Sequence, residues 1–425
     1  MIKPRLILAL LLLCLAGCSG ISTPAGTLEA PKPPTSTATL AFAPENTPTP
    51  SGVVTLEVWL PPQFSPVTGS PAGELLKVRL DTFTARRPDI VVQVRIKALD
   101  GPGGLLDSLT TASAAAPLSL PDLIALPRPM LETAALKGLL HPFDDLIDDP
   151  EDPDWYDYAL RLARLQDSLF GLPFAGDALV LIYRRSAVPQ PPATLGNLLQ
   201  SGHSLAFPAS DPQALFTLAL YQAAGGKILD GEGRPVLEKD PLTRVLAFYN
   251  EAARVELVPF LLTQFQDDDQ SWEAFQKGQA EMVITWASRY LQGQPGDSAV
   301  APLPTPDEKD FTLATGWVWA LASPHLEDQK LAAELAAYLS ESAFLGGWTE
   351  ATGYLPPRPT ALEGWRDTGL RSFARQVSTS ASLVPSADVL PGLATPLVAA
   401  VAEMLKLQSD PASSAQEAVN SLLNP

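Results

Sequence analysis

Apolar and polar residues alternate along residues 54–60, which is the pattern of a β-strand. Apolar residues then recur at helical spacing, with Leu76, Leu80 and Phe83 at i, i+4 and i+7. Alternation resumes over residues 90–96. A strand, a helix and a strand of these lengths form a βαβ unit, in which the two strands lie parallel and the crossover is right-handed.

The same succession of short strands and helices continues through the rest of the chain. Glycine follows several helical segments, as at Gly138 and Gly225, where a helix is expected to end. No repeat of fixed period is present. The sequence therefore predicts the α/β class, with strands at 123–126, 204–207, 280–286 and 318–321 and helices at 130–140, 212–224, 242–249, 272–277 and 330–339.

The amino terminus carries the features of a secretory signal. Lys3 and Arg5 precede a short apolar run, and Ala16 and Gly17 then precede Cys18. This ending resembles the lipobox of bacterial lipoproteins, which implies removal of residues 1–17 and acylation of Cys18. An uncleaved membrane anchor is disfavoured because the apolar run is far shorter than the about 20 residues that span a bilayer.

Residues 18–52 are dominated by Pro, Ser, Thr, Ala and Gly, so they are predicted to form a disordered tether. The chain from residue 53 onward is longer than one hydrophobic core usually spans, which predicts two lobes. The protein is therefore expected to fold outside the cytoplasm, attached to a membrane through its lipid.

Charge and composition exclude several classes of function. The net charge of −18 at pH 7 would repel nucleic acid. Of the two cysteines, Cys14 lies within the signal, so no disulfide is expected in the mature chain. The three histidines are far apart in sequence and give no metal-ligand spacing. Neither a cofactor nor a metal is predicted, although the acidic stretch 144–157 leaves calcium as a minor alternative.

Short motifs follow one another in a fixed order between residues 80 and 356. They are Leu80-Asp81-Thr82-Phe83 with Arg87-Pro88-Asp89-Ile90, Pro121-Asp122-Leu123-Ile124 with Lys137-Gly138-Leu139-Leu140, Leu169-Phe170-Gly171-Leu172-Pro173 with Leu181-Ile182-Tyr183, Trp272-Glu273-Ala274-Phe275 with Gly278-Gln279-Ala280-Glu281-Met282, Thr315-Gly316-Trp317, and Gly353-Tyr354-Leu355-Pro356. Their order resembles that of the extracellular solute-binding proteins of ABC importers, the family of maltose-binding and other sugar-binding proteins.

The resemblance implies a two-lobed periplasmic-binding-protein fold, in which each lobe is a mostly parallel sheet flanked by helices and the ligand binds between the lobes. It places the N-terminal lobe at 53–172 plus 305–342 and the C-terminal lobe at 176–303 plus 346–425. It also implies a monomeric, non-catalytic receptor that delivers a small polar solute, most simply a sugar, to the subunits of an ABC permease.

Aromatic residues at strand ends and loop junctions are the first candidates for ligand binding, because their flat faces suit the C–H faces of sugar rings. A carboxylate at the first crossover between the lobes would accept hydrogen bonds from hydroxyl groups or an ammonium group. An arginine would grip an anionic or hydroxyl-rich solute. Core packing is the alternative for each aromatic residue, a solvated hinge acid for the carboxylate, and an ion pair with a surface carboxylate for the arginine. The candidates are Trp59, Phe64, Asp177, Trp286, Arg289, Trp317 and Tyr354.

Two other functions stay open at this point. The sequence lacks the common hydrolase, metalloprotease and phosphate-binding motifs, but a pair of carboxylates for glycoside hydrolysis is not recognisable from spacing alone. A secreted carbohydrate-active hydrolase is therefore one alternative. A lipoprotein that acts as a sensor or assembly factor outside transport is the other.

Overall fold

The computed structural model describes residues 52–147 and 152–423. The predicted signal peptide, Cys18 and residues 18–51 of the predicted tether lie outside the described residues. Within them the strands are β1 (Val54–Leu60), β2 (Ile90–Ile96), β3 (Leu123–Pro127), β4 (Arg164–Leu165), β5 (Ser168–Leu169), β6 (Leu172–Arg184), β7 (Leu205–Ala206), β8 (Met282–Trp286), β9 (Ser298–Ala301), β10 (Thr312–Leu321) and β11 (Ala381–Leu383).

Helices surround these strands and confirm the predicted α/β class. They are α1 (Pro71–Arg86), α2 (Leu105–Ala115), α3 (Arg128–Leu136), α4 (Asp157–Ala163), α5 (Leu195–Gln200), α6 (Leu215–Ala223), α7 (Lys239–Arg254), α8 (Asp268–Gln276), α9 (Ala287–Gly293), α10 (Leu326–Leu339), α11 (Ser342–Thr352), α12 (Thr368–Ser380), α13 (Leu390–Leu405) and α14 (Pro411–Leu423). None of the helices in the described part of the chain is long and apolar enough to cross a membrane.

The predicted βαβ unit is confirmed. Strands β1 and β2 pair in parallel from Val54↔Ile90 onward, and β1 pairs in parallel with β3 on its other edge. Helix α1 begins at a cap in which the Ser70 side chain accepts the N–H of Gly73 at 3.0 Å. The residues predicted for its inner face, Leu76 among them, are buried against the sheet.

Two long strands, β6 and β10, run antiparallel to each other through the middle of the main sheet. The strand order is β2-β1-β3-β10-β6-β8-β7, and β9 and β11 pair with β6 and β10. The sequence analysis treated residues 172–176 only as a crossover and did not predict β6. Parallel pairing, which the prediction emphasised, holds for β1 with β2 and β3, for β7 with β8 and for β10 with β11.

The buried apolar residues form two separate core clusters, and both long strands contribute to each. In β6, Phe174 belongs to the first cluster and Leu181 to the second. The first cluster otherwise holds β1 to β3 and α10, and the second holds α6, α7 and α13. Trp348 and Ala361 pack in the first cluster, whereas the predicted lobe bounds assign 346–425 to the second lobe.

Candidate ligand-binding cavity

A cavity of about 700 Å³ lies where the two core clusters meet. This volume is within the usual range for a small-molecule site. The residues that line it come from the start of α3, the centres of β6 and β10, the end of β8, the turn that leads into α6, the segment after α11, and the connection from β11 to α13 with the first residues of α13. They are Pro127, Arg128, Pro129, Glu132, Asp177, Pro212, Gln213, Leu215, Trp286, Thr315, Gly316, Trp317, Tyr354, Val384, Pro385, Ala387, Leu390 and Pro391.

The floor of the cavity is formed by the two long strands, where Thr315 pairs with Asp177 and Gly316 pairs with Gly176. A Cβ atom on Gly316 would overlap the carbonyl oxygen of Ala175. Glycine at this position therefore lets the two backbones approach closely and keeps the floor open next to Trp317.

Asp177 is buried in the floor and is held by three hydrogen bonds from the protein. Its Oδ1 accepts the backbone N–H groups of Ala178 at 2.9 Å and Ser288 at 3.1 Å, and its Oδ2 accepts the Ser288 hydroxyl at 2.5 Å. Burial raises the pKa of this carboxyl group from 3.8 to about 7, against the lowering effect of the bonds from Ser288 and Ala178. Asp177 thus joins β6 to the first turn of α9 and carries only a partial charge near neutral pH.

Three aromatic side chains line the same cavity as Asp177. Trp286 is half-buried at the point where β8 ends and α9 begins. The Trp317 ring meets the Phe64 ring edge-on at 5.0 Å, and the Tyr354 ring lies 5.6 Å from Phe64. Burial, followed by the charge of Asp177, raises the pKa of the Tyr354 phenol to about 12, so this group stays a neutral hydrogen-bond donor. Phe64 itself is 3% exposed and supports Trp317 and Tyr354 from behind.

A buried ion pair forms one side of the cavity, and the sequence analysis did not predict it. Arg128 Nε donates to Glu132 Oε1 at 2.6 Å, one turn further along α3. The Nη1 group of Arg128 also donates to the carbonyl oxygens of Arg161 and Leu162. Glu132 Oε2 accepts the backbone N–H of Ala387 at 2.9 Å. The pair thereby ties the connection between β11 and α13 to helix α3.

The chain matches the family model of bacterial extracellular solute-binding proteins over residues 79–370. The match covers more than half of the chain.

The chain belongs to this family.

Similar proteins agree with this assignment. Over 197 residues the chain is 26% identical to a maltotriose-binding protein of Pyrococcus abyssi, a match that covers 43% of this chain and 42% of the relative. The chain therefore aligns with less than half the length of that relative. The fold resembles the sugar-binding protein MalE from Xanthomonas citri, with a TM-score of 0.70 and 18% identity over 87% of this chain and 98% of that one. It also resembles a cyclo/maltodextrin-binding protein complexed with maltotetraose, with a TM-score of 0.69 and 23% identity over 87% of this chain and 96% of that one. The predicted two-lobed fold is confirmed.

Within this solute-binding fold, three candidate residues are absent from the cavity lining: Phe64, which packs behind the aromatic rings, Trp59 and Arg289. Trp59 is 3% exposed in the sheet and its Nε1 donates to Glu57 Oε1 at 2.6 Å, so its ring is part of the N-terminal core. Arg289 Nε donates to Asp268 Oδ2 at 2.8 Å, and its Nη2 pairs with Asp269. Through these ion pairs Arg289 links α9 to α8.

The cavity also has an apolar side that the sequence analysis missed. Leu215, Val384, Leu390 and Pro391 line it, and they come from two parts of the chain that are distant in sequence, residue 215 and residues 384–391. A family motif or an aromatic residue would have drawn attention to these positions, but they carry neither.

The calcium alternative gains no support from the described residues. Residues 148–151 of the acidic stretch 144–157 lie outside them. In the part that is described, no group of three His, Cys, Asp or Glu residues has the geometry to hold a metal ion. Asp154, at the far end of the stretch, accepts hydrogen bonds from Ser342 and Thr360, which occupies its carboxylate within the protein.

Proposed function

We propose that this solute-binding protein is the extracytoplasmic receptor of an ABC importer and binds an uncharged, sugar-containing solute in the cavity between its two cores. The observation that carries the proposal is the cavity itself, because Trp286, Trp317 and Tyr354 line it together with Asp177. Aromatic faces with one hydrogen-bonding carboxyl group suit a sugar ring, which has apolar faces and a polar rim. The relatives bind maltotriose or maltodextrins, which supports the sugar class for this chain.

The charges around the cavity favour an uncharged solute over a polyamine or an anionic sugar. Arg128 and Glu132 neutralise each other in a buried pair. Asp177 already accepts three hydrogen bonds and has a pKa of about 7, so a cationic solute would gain little from it. Arg289, the candidate partner for an anion, pairs with Asp268 and Asp269 outside the cavity lining.

Transport requires that the two lobes close on the solute. We propose their bounds as 53–172 plus 305–342 and 176–303 plus 346–425, except that Trp348 and Ala361 pack with the first lobe. A solute that contacts both lobes stabilises the closed form by its differential affinity. The closed form would dock as a monomer on the permease subunits, held near the membrane by acylated Cys18 and the tether. Solution scattering would detect the closure as a smaller radius of gyration with solute, and an unchanged radius would count against it.

We assign no catalytic step to this chain, in keeping with relatives that are named for binding. A thermal-shift screen of neutral sugars, amino sugars, acidic sugars and polyamines tests the receptor proposal. A neutral solute at 100 times its Kd is expected to add about 2.7 kcal/mol to the free energy of unfolding. Chromatography of the same mixtures should recover the solute unchanged, because released product would instead indicate the hydrolase.

A further inference from the structure

One side of the cavity is aliphatic. Helix α13 packs against α6, and this packing brings Leu390 and Pro391 to the same cavity as Leu215. Val384 joins them, because its backbone N–H donates to the carbonyl oxygen of Ala314 in β10 at 2.9 Å. We call Leu215, Val384, Leu390 and Pro391 the aliphatic wall.

The polar side chains of the cavity are mostly used by the protein itself. Glu132 bonds through both oxygens, Arg128 through Nε and Nη1, and Asp177 through three of its roughly four acceptor sites. Among the described lining residues, Gln213 and Thr315 are the uncharged side chains with amide or aliphatic hydroxyl groups. An oligosaccharide that filled the cavity would place several hydroxyl groups against the aliphatic wall, where they would lose their bonds to water without replacement.

We propose that the solute is amphipathic: a single neutral sugar-like head on the aromatic floor, joined to an aliphatic or aryl group that packs on the aliphatic wall. This inference rests on the proposed receptor function and narrows its solute class to glycosides with an apolar aglycone. The head uses the groups around Trp286 and Tyr354. The apolar part replaces water at Val384 and Leu390 and makes no demand for hydrogen bonds.

A homologous series of n-alkyl β-D-glucosides tests the proposal, with methyl, butyl and hexyl members measured by isothermal titration calorimetry below their critical micelle concentrations. Each methylene group that packs on the aliphatic wall should tighten binding by about fourfold. The hexyl glucoside has five more methylene groups than the methyl glucoside, and the packing of only two of them is enough to tighten binding by at least about tenfold. It should also bind more tightly than maltotriose, which fills a similar space with hydroxyl groups.

The variant Val384→Thr keeps the shape of the side chain but places a hydroxyl group in the aliphatic wall. It should reduce the gain in affinity from methyl to hexyl glucoside by at least about threefold. Val67→Thr is the matched control, because Val67 is 81% exposed and does not line the cavity. Circular dichroism melting of both variants separates an effect on binding from a loss of folding.

The outcomes distinguish this inference from the receptor function on which it rests. Equal affinities for the methyl and hexyl glucosides, together with tighter binding of maltotriose, would overturn the amphipathic solute and leave the sugar receptor standing. The affinity could also rise steeply with alkyl chain length without any change in Val384→Thr. The alkyl group would then bind away from the aliphatic wall, which would overturn the inference. Failure of every glucoside and of maltotriose to bind would overturn both proposals.

Discussion

Asp177 combines a structural role with a position in the lining of the candidate cavity. The sequence placed it at a crossover, and a carboxylate there was expected to meet the solute. The structure places it in the cavity floor but also bonds it to Ser288 at the start of α9. Because helix N-termini have free N–H groups, a carboxyl group is well placed to accept from them. The sequence could not reveal this contact, since the two residues are 111 positions apart.

The raised pKa of Asp177 predicts how stability depends on pH. The native state holds this proton up to a pKa of about 7, whereas the unfolded chain releases it near 3.8. The native state therefore binds more protons between these values, and the contribution of Asp177 to stability falls as pH rises from about 4 to about 7. Urea unfolding across this range should show that decline in the wild type relative to Asp177→Asn. Parallel stability curves for the two proteins would contradict the assignment.

Among single substitutions in the cavity, we expect the replacement of Trp286 to reduce the affinity for the solute most. Replacing it with alanine removes a half-buried aromatic face that meets the cavity, and we expect the affinity for the solute to fall at least about tenfold. Phe260→Ala is the control, because Phe260 is aromatic, 72% exposed and absent from the cavity lining. Calorimetry on both variants measures the difference. Equal affinities would remove Trp286 from the site.

At the scale of elements, the sequence predicted the existence of most helices and strands better than their ends. Helix α6 was expected from Pro212 but begins at Leu215, because Asp211 accepts the N–H groups of Gln213 and Leu215 and holds the preceding turn. Helix α3 was expected to reach residue 140 but ends at Leu136, and Gly138 follows with a positive φ of 66°. Side-chain hydrogen bonds before α6 and a glycine with positive φ after α3 thus fixed helix ends that periodicity alone did not predict.

Helix α3 also carries a contact that links distant elements, since Glu132 bonds both Arg128 and the backbone of Ala387. Glu132→Ala would leave Arg128 buried without its partner, and we expect a loss of about 3 kcal/mol in the free energy of unfolding. The control is Asp81→Ala, which breaks the exposed pair with Lys77 and should leave the free energy of unfolding almost unchanged, because solvent screens this pair. Chemical denaturation compares the two. A loss from Glu132→Ala as small as that from Asp81→Ala would contradict the role of this pair.

At the scale of the whole molecule, the order of motifs was sufficient to predict the family and the two-lobed fold. It was not sufficient to predict the cavity. The aromatic floor follows from residues that the sequence singled out, among them Trp286 and Trp317. The ion pair and the aliphatic wall come from segments as distant as residues 132 and 387, which long-range packing alone brings together. Trp59 was a candidate for ligand binding but is buried in the core. The sequence around a tryptophan at the end of a strand does not distinguish a packing role from a binding role.

The central claim is that one uncharged solute binds between the two core clusters, on the floor formed by β6 and β10. A crystal structure with the best solute from the thermal-shift screen tests it most directly. The account predicts that the solute contacts Trp286 and Trp317 and reaches residues of both clusters. A solute bound elsewhere, or held by one cluster alone, would contradict it.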